Sequence, residues 1–178
     1  ADRLAAAGIA DPGGDVELLA AHVLGTSRGG VQAASIRGDE IESADASAFE
    51  ELVERRAARV PLQHITGYAP FRRLVLKVGP GVFVPRPETE IVALGAAASP
   101  TPIAVDLGTG SGALALALAT EVPHALVYGV EKSPDAFVWA KSNAEFVGAT
   151  NARIVRGDLD TALSDLDGTV DVVVSNPP

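Results

Sequence analysis

Residues 102–121 read PIAVDLGTGSGALALALATE, and this stretch restricts the fold more than any other. Its first part is a short apolar run, the pattern of a strand buried on both faces. Glycines follow at 108, 110 and 112, and then a run with no β-branched residue until Thr120 predicts a helix. A strand that passes through a tight glycine turn into a helix is the first half of a parallel crossover unit. The pattern then repeats. ALVYGVEK predicts a second strand. SPDAFVWAKSNAEFVG predicts a helix with Ser133 as N-cap, Pro134 at the first helical position and Gly148 as its stop. ARIVRGD and DVVVSNPP predict two more strands. The expected class is α/β, a doubly wound, Rossmann-like parallel sheet with right-handed crossovers.

The N-terminal part follows a different rhythm. Val16, Leu19, Val23 and Leu24 recur at helical spacing after Asp15, which reads as a cap, with Gly25 as a stop. Phe49, Leu52 and Val53 repeat that spacing, and Ser47 stands three residues before Glu50 as a capping box. From residue 62 to 85 the pattern alternates. Leu74, Leu76 and Val78 share a face, GPG signals a turn, and Val82 and Val84 follow, so strands forming a hairpin or connecting flap are expected. Pro85, Pro87, Glu88 and Glu90 then open a short helix. The expected organisation is a helical domain over 1–60, a β-hairpin linker over 61–86 and the α/β domain over 87–178.

Composition bears mainly on partners. Hydrophobic residues make up 47% and charged residues 21%, enough for a packed core. The formal net charge of −9 argues against a broad phosphate-binding face, because a nucleic-acid reader exchanges basic side chains for counterions. Arg55, Arg56 and Arg59 read as a solvated helix face, and Arg72, Arg73 and Lys77 as hairpin surface. No apolar run reaches the length of a membrane span. With no cysteine there are no disulfides or thiolate metal sites, which suits the cytoplasm, the expected location. His22, His64 and His124 lack metal-site spacing and read as structural; Trp139 and Tyr68 read as core. The absence of methionine and the abrupt end at Pro178 suggest a longer gene product.

Two features carry chemistry. Glycines at 108, 110 and 112 permit positive φ and let a ligand lie against bare backbone in front of a helix N-terminus. A dinucleotide fingerprint has a different glycine spacing, and no P-loop lysine follows. Glu131, 23 positions after Gly108, ends the next strand, near the offset at which a carboxylate meets ribose hydroxyls. Taken alone, the turn is a tight turn and Glu131 a helix-capping acid; together they point to a nucleoside ligand. At the other end, two prolines stop the last strand and leave Asn176 at its carboxyl edge, where open α/β sheets bind ligands.

These motifs together resemble a known family. The Gly-x-Gly-x-Gly turn with Asp106 two residues before it, PLQHITGYAPFRRLVLKV, VFVPRPETEIV and the terminal SNPP are similar, in that order, to the HemK/PrmC glutamine methyltransferases, within the class I S-adenosylmethionine-dependent methyltransferases. The helical N-terminal segment matches as well. The resemblance implies S-adenosylmethionine as cofactor, S-adenosylhomocysteine as product and peptide chain release factors as protein substrate. It implies no membrane partner and no direct nucleic-acid partner. Asp106, Gly108, Thr109, Gly110, Ser111 and Gly112 would line the cofactor's methionine and ribose, and Glu131 would hold the ribose hydroxyls. Asp158 and Leu159 would flank the adenine, with Leu159 where many relatives have an aromatic ring. Asn176 would touch both cofactor and substrate, and Pro177 and Pro178 would complete the substrate grip. Glu88 and Thr89, with Arg86 beside them, would lie near the cofactor, or PRPETE would be no more than a good helix start.

The implied reaction suits Asn-Pro-Pro. An amide nitrogen is a weak nucleophile, and the Asn176 side-chain carbonyl with the Pro177 backbone carbonyl offers two acceptors for its hydrogens. Prolines fix those acceptors before substrate arrives, so orientation replaces a general base. The rivals are a methyltransferase for a ribosomal-protein glutamine, an adenine-N6 nucleic-acid methyltransferase, and a non-catalytic binding module.

Overall fold

The computed structural model describes residues 1–97 and 103–177 and divides into two compact units, Ala1–Thr66 and Gly67–Pro178. The first unit is helical: α1 (Asp2–Ala6), α2 (Pro12–Val23), α3 (Arg28–Arg37), α4 (Ser43–Ala57) and α5 (Leu62–Thr66). Leu4, Ile9, Leu19, Val53 and Ile65 form its core. Its helix starts differ from the sequence reading. Pro12 takes the first position of α2, so Asp11 is the cap and accepts from Gly14 N at 2.9 Å. Asp15 falls inside the first turn, where its carboxylate pairs with Arg56 at 2.6 Å. Arg56 is therefore no solvated side chain: the pair is 18% and 14% exposed, and the guanidinium also donates to Val60 O. Helix α4 begins four residues before the expected capping box. Ser47 lies one turn inside it, and its hydroxyl donates to the Ser43 carbonyl instead. Residues 62–66, expected to be extended, form the last helix of this unit.

The second unit opens with an antiparallel hairpin, β1 (Tyr68–Phe71) against β2 (Leu74–Lys77). Its turn is at Arg72 and Arg73 rather than at GPG. Arg72 takes a positive φ of 53°, and its side chain holds that conformation. The guanidinium meets both oxygens of Glu121 at 2.5 and 2.6 Å and donates to the Glu90 carbonyl, while the Arg72 backbone N–H reaches Glu90 Oε1. Arg72 thus lies in a part-buried clamp, not on the hairpin surface. It also holds the Glu121 carboxyl below the usual range. The inner face of the hairpin carries Ala69, Phe71 and Leu76, all buried. Tyr68, expected in the core, is on the outer face, 47% exposed beside Phe146 and across from Lys77.

After the hairpin come a 3-10 turn (Pro87–Thr89) and α6 (Glu90–Ala97). Then follow β3 (Ile103–Leu107), α7 (Ala113–Glu121), β4 (Leu126–Glu131), α8 (Pro134–Val147), β5 (Ala152–Arg156) and β6 (Val172–Ser175). The strands form one parallel sheet in the order β5-β4-β3-β6. Side chains alternate across it: Ala104, Val127 and Val174 pack with α7, and Val105, Tyr128 and Val130 pack on the other face. Residues 162, 163, 166 and 170 cover that second face, so the chain returns from β5 to β6 largely without helix. Strand order reverses between β3 and β6, and a crevice opens at their carboxyl ends. Ser133 caps α8 with Pro134 at its first position, and Gly148 ends it at φ 74°, as the sequence indicates.

Candidate active site

The crevice is a cavity of about 570 Å³ within the second unit. The glycine turn forms its floor, Glu131, Ser133 and Ala136 one side, and Thr89, Asn176 and Pro177 the opposite end. Residues 81–86 form a strap along the wall. The turn is built from backbone bonds: Gly108 N and Thr109 N both donate to Val130 O at 2.9 Å. Gly110 has φ 58°, and a Cβ there would meet nothing within 4 Å, so its backbone faces open space. Gly112 has φ 86° and starts α7; a Cβ there would lie 3.0 Å from Leu116 Cδ1, so this glycine also serves packing.

Asp106 lies beneath the turn at 1% exposure. Its Oδ2 accepts from Thr109 Oγ1 at 2.6 Å and from Ala115 N at 3.2 Å, while Oδ1 has no partner. Burial pushes its carboxyl up to about 6, the two bonds to Oδ2 oppose that rise, and the Glu131 charge adds to it. Glu131 braces two elements: Oε2 accepts from Gly110 N and Oε1 from Ser133 N, both at 2.8 Å. Each oxygen keeps a further lone pair for a ligand hydroxyl.

At the far end, Ser175 Oγ donates to Leu107 O at 2.8 Å, tying the end of β6 to β3. Asn176 and Pro177 are exposed at the cavity mouth, and Asn176 Nδ2 donates to the buried Thr89 hydroxyl at 2.6 Å. Pro178 lies outside the described residues. Asp158 and Leu159 do not line the cavity. Asp158 pairs with Lys132 at 2.7 Å, which lowers its carboxyl, and Leu159 is 41% exposed. The three histidines are also absent from the lining.

Two contributions had gone unread in the sequence. Helix α8 carries the strap: Trp139 Nε1 donates to Pro80 O at 3.0 Å, and a Cβ on Gly79 would sit 2.7 Å from the Trp139 ring. One turn on, the fully buried Asn143 accepts from Lys77 N and donates to Lys77 O and Ser111 O at 2.8–2.9 Å. A polar residue on an otherwise buried helix face was the available signal. Trp139, expected as core, is half-buried against the cluster of Ala69, Val78, Val82 and Ala136.

The family described as PrmC N-terminal domain matches residues 1–67, and that described as Methyltransferase small domain matches residues 92–178. A release factor glutamine methyltransferase of Streptomyces coelicolor is 51% identical over 99% of this chain. One of Mycolicibacterium smegmatis is 49% identical over 98%, and one of Mycobacterium tuberculosis 44% identical over 98%. The chain belongs to the HemK/PrmC family. It spans 62% of the length of the first two relatives and 58% of the third. Among solved structures, a precorrin-6y C5,15-methyltransferase of Geobacter metallireducens overlaps 56% of this chain and 53% of its own, at 19% identity and a TM-score of 0.49. No helix among the described residues is long and apolar enough to cross a membrane.

Proposed function

We propose that this chain provides the cofactor site and reacting residues of an S-adenosylmethionine-dependent methyltransferase acting on the side-chain amide N5 of glutamine. The proposed substrate is the glutamine of the Gly-Gly-Gln motif in peptide chain release factors, and the proposed location is the cytoplasm. The observation that carries this reading is one cavity lined by the glycine turn, Glu131 and Asn176–Pro177 together. The names of the HemK/PrmC relatives support the substrate.

The residues present fit the cofactor. Gly108 and Gly110 leave open space where side chains would project, and the unpartnered Asp106 Oδ1 offers a negative group toward a cationic ligand. Gly108, Thr109, Gly110 and Ser111 would cradle it, and Glu131 would take its hydroxyls. When bound, S-adenosylmethionine supplies a methyl group on a cationic sulfur. The protein's own task is orientation. Asn176 Oδ1 and the Pro177 carbonyl accept the two hydrogens of the substrate amide, turning its nitrogen toward the cavity. Pro177 removes backbone freedom from that grip. Placing reactants at contact distance can contribute about 7–11 kcal/mol to rate acceleration, so no general base is required. The nitrogen sheds one proton to solvent as it gains the methyl.

Intact-mass spectrometry of the full-length protein with S-adenosylmethionine and an unmodified release factor tests this. The expected result is one added methyl, mapped to the Gly-Gly-Gln glutamine. Asn176→Ala is expected to lower transfer by about two orders of magnitude or more, the scale of a lost transition-state donor or misplaced reactant, while cofactor still binds. Full turnover by Asn176→Ala would remove the mechanism. A methyl on a ribosomal protein or on adenine instead would change the substrate.

A further inference from the structure

Asn176 faces a problem of orientation that its own position does not solve. Its side-chain amide has a carbonyl side and an NH2 side of nearly equal shape. Only the carbonyl side can accept a hydrogen from a substrate amide; turned over, Nδ2 would point a donor at a donor. The terminal torsion of asparagine is broad and roughly two-fold, and Asn176 lies exposed just beyond the end of β6. A second group must hold Nδ2.

Thr89 supplies it. Its hydroxyl accepts from Asn176 Nδ2 at 2.6 Å, across 87 residues of sequence. Thr89 is itself well fixed: it is 8% exposed, it closes the Pro87–Thr89 turn, and its N–H donates to Arg86 O at 3.0 Å. Pro87 at the start of that turn restricts the backbone further. We propose that Thr89 is a positioning residue that turns the Asn176 carbonyl toward the reacting amide. The inference rests on the methyl-transfer reading above. It gives PRPETE a task beyond starting a helix: a proline-fixed turn delivers one acceptor to the end of a distant strand. Valine at 89 would keep the shape but could not accept, leaving Nδ2 without its partner and the amide free to turn over. Serine would restore the acceptor.

The test compares the full-length wild-type protein with Thr89→Val and Thr89→Ser. Three quantities are read: the single-turnover rate of methyl transfer to an unmodified release factor, S-adenosylmethionine affinity by calorimetry, and the Asn176 side-chain NH2 signals by 15N NMR. Thr89→Val is expected to slow transfer by about 10- to 100-fold, the scale of a small misplacement of a reacting group, with cofactor affinity unchanged. Its Asn176 NH2 protons are expected to exchange faster. Thr89→Ser is expected to recover most of the rate. Transfer by Thr89→Val at the wild-type rate overturns the inference alone, as does a loss that merely follows weaker cofactor binding, or a serine variant as slow as valine. A wild-type protein that binds cofactor yet transfers no methyl overturns the methyl-transfer reading and the inference with it; the NMR signals still report whether the Thr89–Asn176 bond forms.

Discussion

Asp106 holds a carboxylate with one oxygen engaged and one oxygen bare, in a position water does not reach. Such a group prefers to carry a proton, and its carboxyl is pushed up to about 6 from 3.8. The folded unliganded protein therefore binds this proton more tightly than the unfolded chain. The stabilisation is fully present below about pH 4 and is lost as pH rises through 6, by about 3 kcal/mol in all. Asp106→Asn removes that dependence. Thermal melts of the unliganded protein from pH 4 to 8 should show the variant gaining on wild type as pH rises, and calorimetry should show it binding the cationic cofactor more weakly. Equal pH slopes for the two proteins would refute this account. A residue conspicuous in the sequence only for preceding the glycines thus leaves the fold less stable at neutral pH than at acid pH, in exchange for a charge where the ligand is proposed to lie.

Elements are held together here by a few polar side chains that periodicity does not reveal. Asn143 ties β2, the glycine turn and α8 through three bonds, all at a site closed to solvent. Asn143→Ala leaves Lys77 N, Lys77 O and Ser111 O without that partner. The expected cost is about 3 kcal/mol, read from urea unfolding midpoints, and a loss below about 1 kcal/mol would contradict it. The same reasoning explains what the sequence revealed and what it hid. The parallel strands, α7 and the limits of α8 were legible because apolar runs and glycines act locally: Val127, Val130 and Gly148 lie where their pattern puts them. The hairpin turn was not legible. GPG is a strong local signal, but Arg72 adopts its left-handed conformation because Glu90 and Glu121, 18 and 49 residues away, hold it. Asp15 likewise reads as a cap until Arg56 is seen to claim it. At the site, the glycine turn, Glu131 and Asn176 could be read as motifs, whereas the Thr89–Asn176 bond joins motifs that sequence spacing leaves unrelated.

At the scale of the whole molecule, the proposed ligand chemistry lies in one unit alone. Every residue lining the cavity falls in Gly67–Pro178. A ligand stabilises what it binds by RT ln(1 + [L]/Kd), about 2.7 kcal/mol at a hundredfold excess over Kd. S-adenosylmethionine should therefore raise the unfolding temperature of that unit and leave the transition of Ala1–Thr66 where it is. A common shift of both would show that they unfold as one cooperative body.

The single tryptophan makes these two transitions separable by light. Trp139 donates to Pro80 at the root of the strap, and both tyrosines, Tyr68 and Tyr128, also lie beyond residue 66. The helical unit contains neither residue type, so it is dark under excitation near 280 nm. Emission then follows only the unit that holds the cavity, with an indole that senses the strap directly, while ellipticity at 222 nm follows both. One cuvette, without any added dye, distinguishes the unit that holds the cavity from the helical unit.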